Sequence, residues 1–489
     1  MSFENIEAVV LAAGKSKRFK TGKSKLVEKI CGKEIILFST KLLEQMKIDT
    51  TLVVGHQKEV IQQLVKKHHK KINFVEQKEQ LGTGHAIAIT KDILKKENIL
   101  ILNGDVPLVT EEIIEDLYKK HTSSDATISF VVSHCESPDH SYGRVIKNKQ
   151  GIKIVEAKDF DPKIHEDHCC INAGIYIAKT QFLKDCIDTI EKNKSNEFYL
   201  TDLVEIASKT NLNVETAQAS LNLVRGVNTL EELWAAEQIK RSELIKYWMS
   251  HGVRFNVAQA IHIDIDIQIG NGTQIGCAVH LLGKTKIGKN CIIKKFTTIE
   301  NSTLEDNVEI HPNCVIRDSY ISKDAQIGPF ANIHSQTKIE QGVNIGNFVE
   351  IKTSKIGKFT FARHHSYLGN ATLGSRVNIG AGTITCNYDG ITKHETTIKD
   401  NAYIGSNNTL VAPLTIEKNA FTAAGSTITE DVPTNCLAIG RSQQINKENY
   451  VEKLYEKLKT RSLEINNDKK KTANLMNIKK ENTSKIQEL

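Results

Sequence analysis

The sequence predicts two folded parts in series, a Rossmann-like α/β domain and then a parallel β-helix of hexapeptide repeats. Between residues 261 and 429 an aliphatic residue returns at every sixth position, often followed by glycine, as in Ile269-Gly270. A period of six fits neither an α-helix nor an isolated strand, whereas a coil of short parallel strands explains it. Before the repeat, apolar strands alternate with amphipathic helices, which indicates a parallel sheet.

The hexapeptide repeat keeps two registers. Their positions are Ile269, Ile275, Leu281, Ile287, Ile293 and Ile299, and then Ile321, Ile327, Ile333, Ile339, Ile345 and Ile351. Each turn of such a coil stacks its aliphatic residue on the turns above and below, so no turn can bury its apolar face alone. The alternative, a run of unrelated strands, does not explain six consecutive matches in each register.

Length and composition set the broad class of the protein. The 489 residues are enough for two or three domains, and no apolar run is long enough to span a bilayer. The amino terminus lacks the basic start of a signal peptide, so we expect a cytoplasmic protein without stable membrane association. Ten scattered cysteines without a C-x-x-C pair favour reduced thiols over disulfides or zinc ligands.

The formal charge of +7 raises the hypothesis of nucleic-acid binding. Residues 447–489 hold eleven Lys and Arg and seven Asp and Glu, so 11 − 7 = +4 of that charge lies in the tail. The tail mixes both signs and carries no set of aromatic residues for stacking on bases. A solvated, partly disordered end is therefore favoured over a nucleic-acid arm.

The first strand, Glu7–Leu11, continues into the small and basic loop Ala12-Ala13-Gly14-Lys15-Ser16-Lys17-Arg18. Backbone N–H groups of such a loop can approach a phosphate, and its cations neutralise charge. The loop alone is a weak signal, because it matches neither G-x-x-x-x-G-K-[ST] nor G-x-G-x-x-G.

Two more apolar strands, at 51–54 and 99–102, and the helical stretch 58–65 extend the alternating pattern. Ligands of parallel sheets bind at the carboxyl ends of the strands. Asp105 lies just beyond the third strand, where it is either a Mg²⁺ ligand or a turn residue.

A set of motifs resembles sugar-1-phosphate nucleotidyltransferases in content and order. They are LAAGKSKRF, Ser24-Lys25-Leu26, EQKEQLGTGHA, NGDVPL, Tyr142-Gly143-Arg144, residues 154–158, Ile171-Asn-Ala-Gly174 and Gly226-Val-Asn228. With the hexapeptide coil behind them, residues 6–442 resemble the family of bifunctional N-acetylglucosamine-1-phosphate uridylyltransferases and glucosamine-1-phosphate acetyltransferases. The resemblance implies that the coil is left-handed.

The resemblance also implies a reaction in which a sugar phosphate attacks the α-phosphorus of UTP and pyrophosphate leaves. It assigns Asp105 and Asn228 to Mg²⁺. For UTP and the UDP-sugar it selects Leu11, Ala12, Ala13, Gly14, Lys25, Gln77, Gly82, Thr83, Gly143, Glu156, Asn172 and Asn228. Such a transfer needs positioning and charge neutralisation more than a covalent nucleophile.

This half of the chain departs from the family pattern at three positions. Ser16 and Lys17 stand where the family usually has Gly and Thr, and Ser24 replaces the usual Pro before Lys25. A side chain at position 16 would crowd the phosphates if that residue needs a positive φ.

A connecting helix is predicted across residues 229–250, where apolar residues recur at helical spacing. These residues are Leu230, Leu233, Trp234, Leu244, Ile245 and Trp248. The two tryptophans are expected to pack rather than to bind ligand. The resulting domains are residues 1–228, the linker helix 229–250, the coil 251–442, and a tail 443–489 with one short helix and an unstructured end from Asn466.

Polar interruptions of the coil indicate its functional region, since loops leaving a rigid solenoid commonly carry function. They are residues 361–367 and 380–393. Transfer of an acetyl group from a thioester to an amine needs a base, and histidine has a suitable pKa. His364 and His365 are adjacent and are expected to point to opposite faces of a strand. The resemblance selects His364, because the family's base is followed three residues later by a tyrosine, here Tyr367.

For the sugar phosphate the resemblance selects His334, Lys352, Tyr367, Asn378 and Lys393, and for acetyl-CoA it selects Ala381, Asn387, Tyr388, Ser406, Ala424 and Arg441. It implies direct transfer without an acyl-enzyme. His334 stands where the family usually has a phosphate-binding arginine, and histidine cannot make the same bidentate contact. We therefore expect weaker binding of the sugar phosphate.

Taken together, the resemblance implies a homotrimer assembled through the coil that makes UDP-N-acetylglucosamine for peptidoglycan and lipopolysaccharide precursors. Two alternatives stay open. One is a nucleotidyltransferase for another sugar phosphate with a degenerate acetyltransferase half, which His334 favours. The other is a trimeric scaffold that binds ligands without turnover, which Ser16 and Ser24 favour. The presence of Lys25, Asp105, Asn228, His364 and Lys393 together argues against both.

Overall fold

A computed structural model of the protein describes residues 3–135, 142–149, 151–161, 169–193 and 196–486. The chain divides into two compact units, residues 1–438 and residues 439–489. The first unit contains a mixed sheet with helices on both faces, a long connecting helix and a coil of short parallel strands. The second contains one long helix.

The sheet is built on the buried strand Ile6–Ala12, which runs parallel to Asp49–Val54 on one side and to Asn98–Asn103 on the other. In order across the sheet, the strands are Val214–Gln218, Ile128–His134, Cys170–Lys179, Asn98–Asn103, Ile6–Ala12, Asp49–Val54 and Asn73–Glu76. Strand Cys170–Lys179 is antiparallel to both of its neighbours. The carboxyl ends of the two central parallel strands therefore meet at one edge, where the phosphate loop and Asp105 follow.

The remaining strands of this part form two hairpins. They are Arg144–Asn148 with Gly151–Val155, and Lys29–Ile30 with Lys33–Glu34. The helices are Ile35–Gln45, Lys58–His68, Thr83–Ala88, Glu111–Ser123, Thr180–Cys186, Asp202–Lys209 and Leu221–Val224. Apolar side chains of the helices and strands form a separate buried cluster on each face of the sheet, as expected for a sheet covered on both sides.

The connecting helix spans Leu230–Ser250 and begins with a capping box. The Thr229 hydroxyl accepts from the Glu232 N–H, while the Glu232 carboxylate accepts from the Thr229 N–H at 3.0 Å. Trp248 packs against the core of the coil as predicted. Trp234 is 63% exposed among the described residues, so the prediction that its side chain packs against the protein is wrong.

The coil repeats three short strands per turn, and in its regular part equivalent residues lie 17 or 18 positions apart, as in Gln268, Lys286 and Thr303. Across the polar loop the spacing widens to 403 − 378 = 25 positions, as between Asn378 and Tyr403. One ladder comprises Gln268–Ile269, Lys286–Ile287, Thr303–Leu304, Tyr320–Ile321, Lys338–Ile339, Lys355–Ile356, Ala371–Leu373, Thr396–Ile398 and Leu414–Ile416. The aliphatic residues of the repeat point inward and form one continuous core, which confirms the predicted parallel β-helix.

The other two sides of the coil form the second ladder. Its strands are Arg254–Phe255, His262–Ile263, Gln274–Ile275, His280–Leu282, Ile292–Ile293, Thr298–Glu300, Glu309–Ile310, Val315–Arg317, Gln326–Ile327, Asn332–His334, Asn344–Lys352, Phe361–Gly369, Asn378–Ile379, Ile384–Cys386, Tyr403–Ile404, Thr409–Val411, Phe421–Thr422, Thr427–Ile428 and Leu437–Ala438. Asn344–Lys352 and Phe361–Gly369 are longer because each continues around a corner of the coil, and they pair along most of their length.

His364 and His365 lie in strand Phe361–Gly369, and both are exposed. The prediction that they point to opposite faces is wrong, because His365 has φ 38° and turns the chain at the corner. Side chains alternate between faces only where the backbone remains extended.

The second unit differs from its prediction. A single helix spans Tyr450–Ile486, so it includes most of the segment expected to be unstructured from Asn466. Its many Lys, Glu and Leu residues have high intrinsic helix propensity, which favours a helix without tertiary packing. Among the described residues, none of the helices has the length and apolar character required to cross a membrane.

Candidate functional site

The phosphate loop follows the central strand directly. Leu11 and Ala12 end the strand, and after Ala13 and Gly14 the chain enters a 3₁₀ helix at Lys17–Phe19. A Cβ placed on Gly14 has no heavy atom within 4 Å, so the loop leaves open space there. This arrangement allows backbone N–H groups to face a phosphate.

Lys25, Asp105 and Asn228 meet beside this loop. The Lys25 ammonium lies 2.5 Å from Asp105 Oδ2 and 2.6 Å from Asn228 Oδ1. The Val227 N–H donates to the Asp105 carbonyl oxygen at 2.9 Å, which ties the two oxygen-bearing segments together. Asn228 directly precedes the capping box of the connecting helix, so the start of that helix fixes its position. Three positions predicted from separate motifs therefore form one cluster.

Gln77, Gly82 and Thr83, which are predicted to recognise the base, lie in a second cluster. The buried Gln77 amide donates to the Gly82 carbonyl oxygen at 3.1 Å. Gly82 has φ 103°, and a Cβ there would lie 2.4 Å from the Phe198 carbonyl oxygen, so only glycine fits. The Thr83 hydroxyl accepts from the Leu200 N–H at 3.1 Å.

Gly143, Glu156 and Asn172, which are predicted to hold the sugar, also lie together. The Asn172 N–H donates to the Gly143 carbonyl oxygen at 2.9 Å, and a Cβ on Gly143 would lie 3.4 Å from Glu156 Oε2. Burial raises the pKa of the Glu156 carboxyl, while a hydrogen bond from Thr201 opposes the shift. The cluster therefore offers a partly desolvated acceptor for a hydroxyl group.

In the coil, His364 pairs in register with Asn347 of the preceding turn. His364 Nδ1 lies 3.3 Å from Asn347 Oδ1. Because an amide oxygen only accepts, Nδ1 carries the proton in this contact and Nε2 is left to accept one. The histidine side chain is exposed, so a substrate amine can reach it.

His334 lies two turns of the second ladder away from Tyr367. Its neighbour in register is Lys352, and its Nε2 lies 3.2 Å from Glu350 Oε1. Glu350 in turn pairs in register with Tyr367. His334, Lys352 and Tyr367, which are predicted to bind the sugar phosphate, therefore lie on three successive turns of the coil. The Glu350 carboxylate therefore already contacts the ring of His334.

The polar loop before Thr396 brings Tyr388 and Lys393 together in an antiparallel bridge. The loop is closed by Asp389, whose carboxylate lies 2.7 Å from His394 Nε2. This hydrogen bond, with others from the Ile391 and Thr392 backbone, lowers the pKa of the Asp389 carboxyl. Bridge and hydrogen bonds together give the loop a defined shape.

Two predicted asparagines flank that loop. The Asn387 amide donates to Asn370 Oδ1 at 2.6 Å, which anchors the start of the loop to the coil. Asn378 pairs in register with Phe361 and Tyr403.

Ala381, Ser406 and Ala424 lie on successive turns at one corner of the coil. The Ala381 carbonyl oxygen accepts from the Asn407 N–H at 2.6 Å, and the Ser406 carbonyl oxygen accepts from the Gly425 N–H at 2.8 Å. The same corner carries His364 one turn before Ala381, because the Gly382 N–H donates to the His365 carbonyl oxygen. The residues predicted to bind acetyl-CoA thus lie on the turns that follow the predicted base, at the same corner of the coil. Arg441 belongs to the second unit, and its role stays a prediction.

Comparisons with known proteins agree with this architecture. Residues 8–148 match the MobA-like NTP transferase domain, and residues 266–301 and 284–319 match the bacterial transferase hexapeptide (six repeats). Proteins named bifunctional protein GlmU are similar over nearly the whole chain. That of Clostridioides difficile is 38% identical, covering 93% of this chain and 99% of its own, and that of Thermodesulfovibrio yellowstonii is 42% identical, covering 90% and 98%.

An NTP-transferase domain joined to a hexapeptide-repeat coil defines a bifunctional transferase, with a nucleotidyltransferase half and an acyltransferase half. Within that class, the chain belongs to the GlmU family. The resemblance drawn from the sequence motifs is thereby confirmed.

Several residues with a part in these clusters were missed by the sequence analysis. Asn347 contacts His364 and Glu350 contacts His334. Tyr142, which was quoted in a motif but given no role, accepts through its hydroxyl from the Gly226 N–H at 3.1 Å. Asn347 precedes His364 by 17 residues, which is one turn of the coil. The turn length could have identified it, whereas the other two needed side-chain geometry.

Proposed function

We propose that this protein acetylates glucosamine-1-phosphate with acetyl-CoA and then couples the product to UTP, giving UDP-N-acetylglucosamine and pyrophosphate. The observation that carries the proposal is the presence of two separate constellations on one chain. Lys25, Asp105 and Asn228 converge at the phosphate loop, and His364 contacts Asn347 at one corner of the coil.

Uridylyl transfer in this proposal relies on charge and position. Lys25 and the N–H groups of the 11–14 segment bind the triphosphate, and Gln77, Gly82 and Thr83 recognise the uracil. The sugar lies against Gly143, Glu156 and Asn172. Since the sugar phosphate itself supplies the attacking oxygen, no protein nucleophile is required.

The metal assigned to this half is Mg²⁺, and Asp105 and Asn228 are the residues that would hold it. They fit the ion, because two hard oxygens converge on one cation, the Lys25 ammonium, at 2.5 and 2.6 Å. No group of three or more His, Cys, Asp or Glu suited to a metal exists in the described ranges, which agrees with an ion that takes its other ligands from phosphate and water. When bound, Mg²⁺ neutralises charge on the triphosphate.

Acetyl transfer in this proposal is direct. His364 Nε2 takes a proton from the amine of glucosamine-1-phosphate as that amine attacks the thioester carbonyl, and coenzyme A leaves as the thiol. His334, Lys352, Tyr367, Asn378 and Lys393 bind the sugar phosphate. Acetyl-CoA lies along the coil corner, in contact with Ala381, Asn387, Tyr388, Ser406 and Ala424. Arg441 is a further residue proposed to bind acetyl-CoA. The cysteines take no part.

A homotrimer formed through the coil completes the proposal, with residues 1–228, 229–250, 251–442 and 443–489 as nucleotidyltransferase domain, linker, acetyltransferase domain and tail. Support for self-association comes from an exposed corner of the coil. Phe330 and Phe348 are 48% and 55% exposed there, and their rings stack with centroids 5.1 Å apart. Apolar surface of this kind commonly marks an interface.

The test supplies purified protein with glucosamine-1-phosphate, acetyl-CoA, UTP and Mg²⁺ and detects UDP-N-acetylglucosamine by mass. A parallel reaction starts from N-acetylglucosamine-1-phosphate without acetyl-CoA. Product is expected in both. His364→Ala should abolish only the first, and Asp105→Asn should abolish both. Absence of product in both reactions with the unaltered protein would sink the proposal.

One observation favours a second candidate, a nucleotidyltransferase whose acetyltransferase half no longer works. His334 replaces an arginine and is paired with Glu350, so the sugar phosphate has lost one strong partner. This candidate predicts product only in the reaction that starts from N-acetylglucosamine-1-phosphate.

A further inference from the structure

Ser16, at the family's glycine position, has a backbone conformation that serine seldom adopts. Its φ is 50° and its ψ 31°, in the left-handed region. The side chain is used there, because its hydroxyl oxygen accepts from the backbone N–H of Lys25 at 3.1 Å. The Ser16 carbonyl oxygen also accepts from the Phe19 N–H at 3.0 Å. Ser16 therefore joins the phosphate loop to the segment that carries Lys25.

Ser24, at the family's proline position, is fully buried and retains a backbone N–H that proline lacks. This N–H donates to Gln57 Oε1 at 2.7 Å, and the other end of the Gln57 amide donates to the Gly22 carbonyl oxygen at 3.0 Å. The φ of Ser24 is −63°, a value that proline also adopts. The Gln57 side chain thus fixes the backbone at Ser24, which the ring of a proline would fix in the family pattern.

These contacts converge on Lys25. Its backbone N–H is held by Ser16, the residue before it is held by Gln57, and its ammonium lies between Asp105 and Asn228. The Lys25 side chain is only 14% exposed, so it has little room to adjust, and a shift of its backbone moves the ammonium relative to Asp105 and Asn228. Misplacement of a charged group lowers the rate of a reaction that depends on positioning.

We propose that Ser16 and Gln57 are positioning residues that hold Lys25 for uridylyl transfer, compensating for the missing glycine and proline. This inference rests on the proposed function of the amino-terminal half. It concerns this chain's own residues, and it makes Ser16 and Ser24 a coupled pair. The earlier expectation that a side chain at position 16 crowds the phosphates is replaced by a structural use for that side chain.

The experiment compares Ser16→Gly, Ser24→Pro and the double variant in steady-state uridylyl transfer. Ser16→Gly removes the hydroxyl without backbone strain, and we expect kcat to fall about tenfold with a smaller change in KM for UTP. Ser24→Pro alone leaves Gln57 Oε1 without its donor and should lower kcat by several fold. The double variant restores the family pattern, so its kcat should lie well above the product of the two single losses.

Acetyl transfer by the same chain serves as the internal control and should remain within twofold in every variant. The thermal unfolding midpoint shows whether Ser16→Gly folds. If it does not, Gln57→Ala, a substitution outside the loop, tests the same inference and should also lower kcat. Unchanged kcat in both Ser16→Gly and Gln57→Ala, or strictly multiplicative losses in the double variant, would overturn the inference. No uridylyl transfer by the unaltered protein would instead refute the proposed function.

Discussion

At the scale of single residues, His334 is the departure with the most direct chemical consequence. Changing His334→Arg should lower KM for glucosamine-1-phosphate about fivefold to tenfold, with kcat nearly unchanged. The physical reason is that a guanidinium is always charged and can contact two phosphate oxygens, while it can still pair with Glu350. Steady-state kinetics of acetyl transfer with varied sugar phosphate measures the effect.

His311→Arg provides the matched control for that change. His311 is another coil histidine beside a carboxylate, with Nε2 3.8 Å from Glu309 Oε1, and it belongs to none of the predicted sites. Its substitution should leave KM for the sugar phosphate unchanged. An unchanged KM in His334→Arg as well would contradict the assignment of position 334 to phosphate binding.

The same scale shows how far motifs can specify a site. Lys25, Asp105 and Asn228 lie far apart in sequence, and the family resemblance of their motifs was enough to predict that they belong to the triphosphate and its metal. The partners Asn347 and Gln57 escaped prediction, because their roles follow from the length of a coil turn and the path of a loop. The contact between Ser16 and Lys25 was likewise hidden, since a departure from a pattern does not reveal what compensates for it.

At the scale of elements, His121 connects helix Glu111–Ser123 to the sheet. Its ring lies between Ser129 Oγ at 2.8 Å and Asn98 Oδ1 at 3.0 Å and is buried. Burial, assisted by the charge of Lys179 and opposed by Asp125, lowers the pKa of His121 to about 4. The folded protein therefore keeps this histidine neutral at pH values where an unfolded histidine binds a proton.

Stability of the sheet domain should consequently fall as the pH decreases from about 6.5 towards 4. Below pH 6.5 His121 binds a proton in the unfolded state but stays neutral in the folded state. The free energy of unfolding therefore falls by roughly 2–3 kcal/mol by pH 4.5. Urea unfolding of the protein and of His121→Gln at pH 7 and pH 4.5 measures the effect. The variant should lose less stability on acidification, and equal losses in both proteins would exclude His121 as the cause.

Prediction of elements succeeded where a periodicity was long and failed at corners and ends. Six-residue spacing identified the coil because its aliphatic residues must stack turn upon turn. The same pattern says nothing about where the backbone turns left-handed, so the exposure of both His364 and His365 was not foreseen. The extent of helix Tyr450–Ile486 was not predicted for a different reason, because this helix rests on the intrinsic helix propensity of its residues and, over its described side chains, not on a buried apolar face.

At the scale of the whole molecule, the exposed phenylalanines at one coil corner lead to a prediction about assembly. Phe330 and Phe348 have φ 55°, a left-handed conformation that bulky residues avoid, whereas Asn313 and Gly382 occupy equivalent corners at little cost. Aromatic rings held in this conformation and exposed in the single chain are expected to gain their stabilisation from contact with another copy. The neighbouring corner residue on the next turn is His365, so this contact would lie beside the predicted base.

If the proposed trimer forms through this corner, replacing both Phe330 and Phe348 with serine should dissociate it and reduce acetyl transfer at least tenfold, while uridylyl transfer changes little. Light scattering after size-exclusion chromatography measures the mass, and the two activities are assayed on the same fractions. Phe359→Ser is the matched control, since Phe359 is 46% exposed with φ 58° but lies on a different corner of the coil. A double variant that remains trimeric would place the interface on another face of the coil. An unaltered protein that is monomeric and still acetylates its substrate would show that no interface is needed.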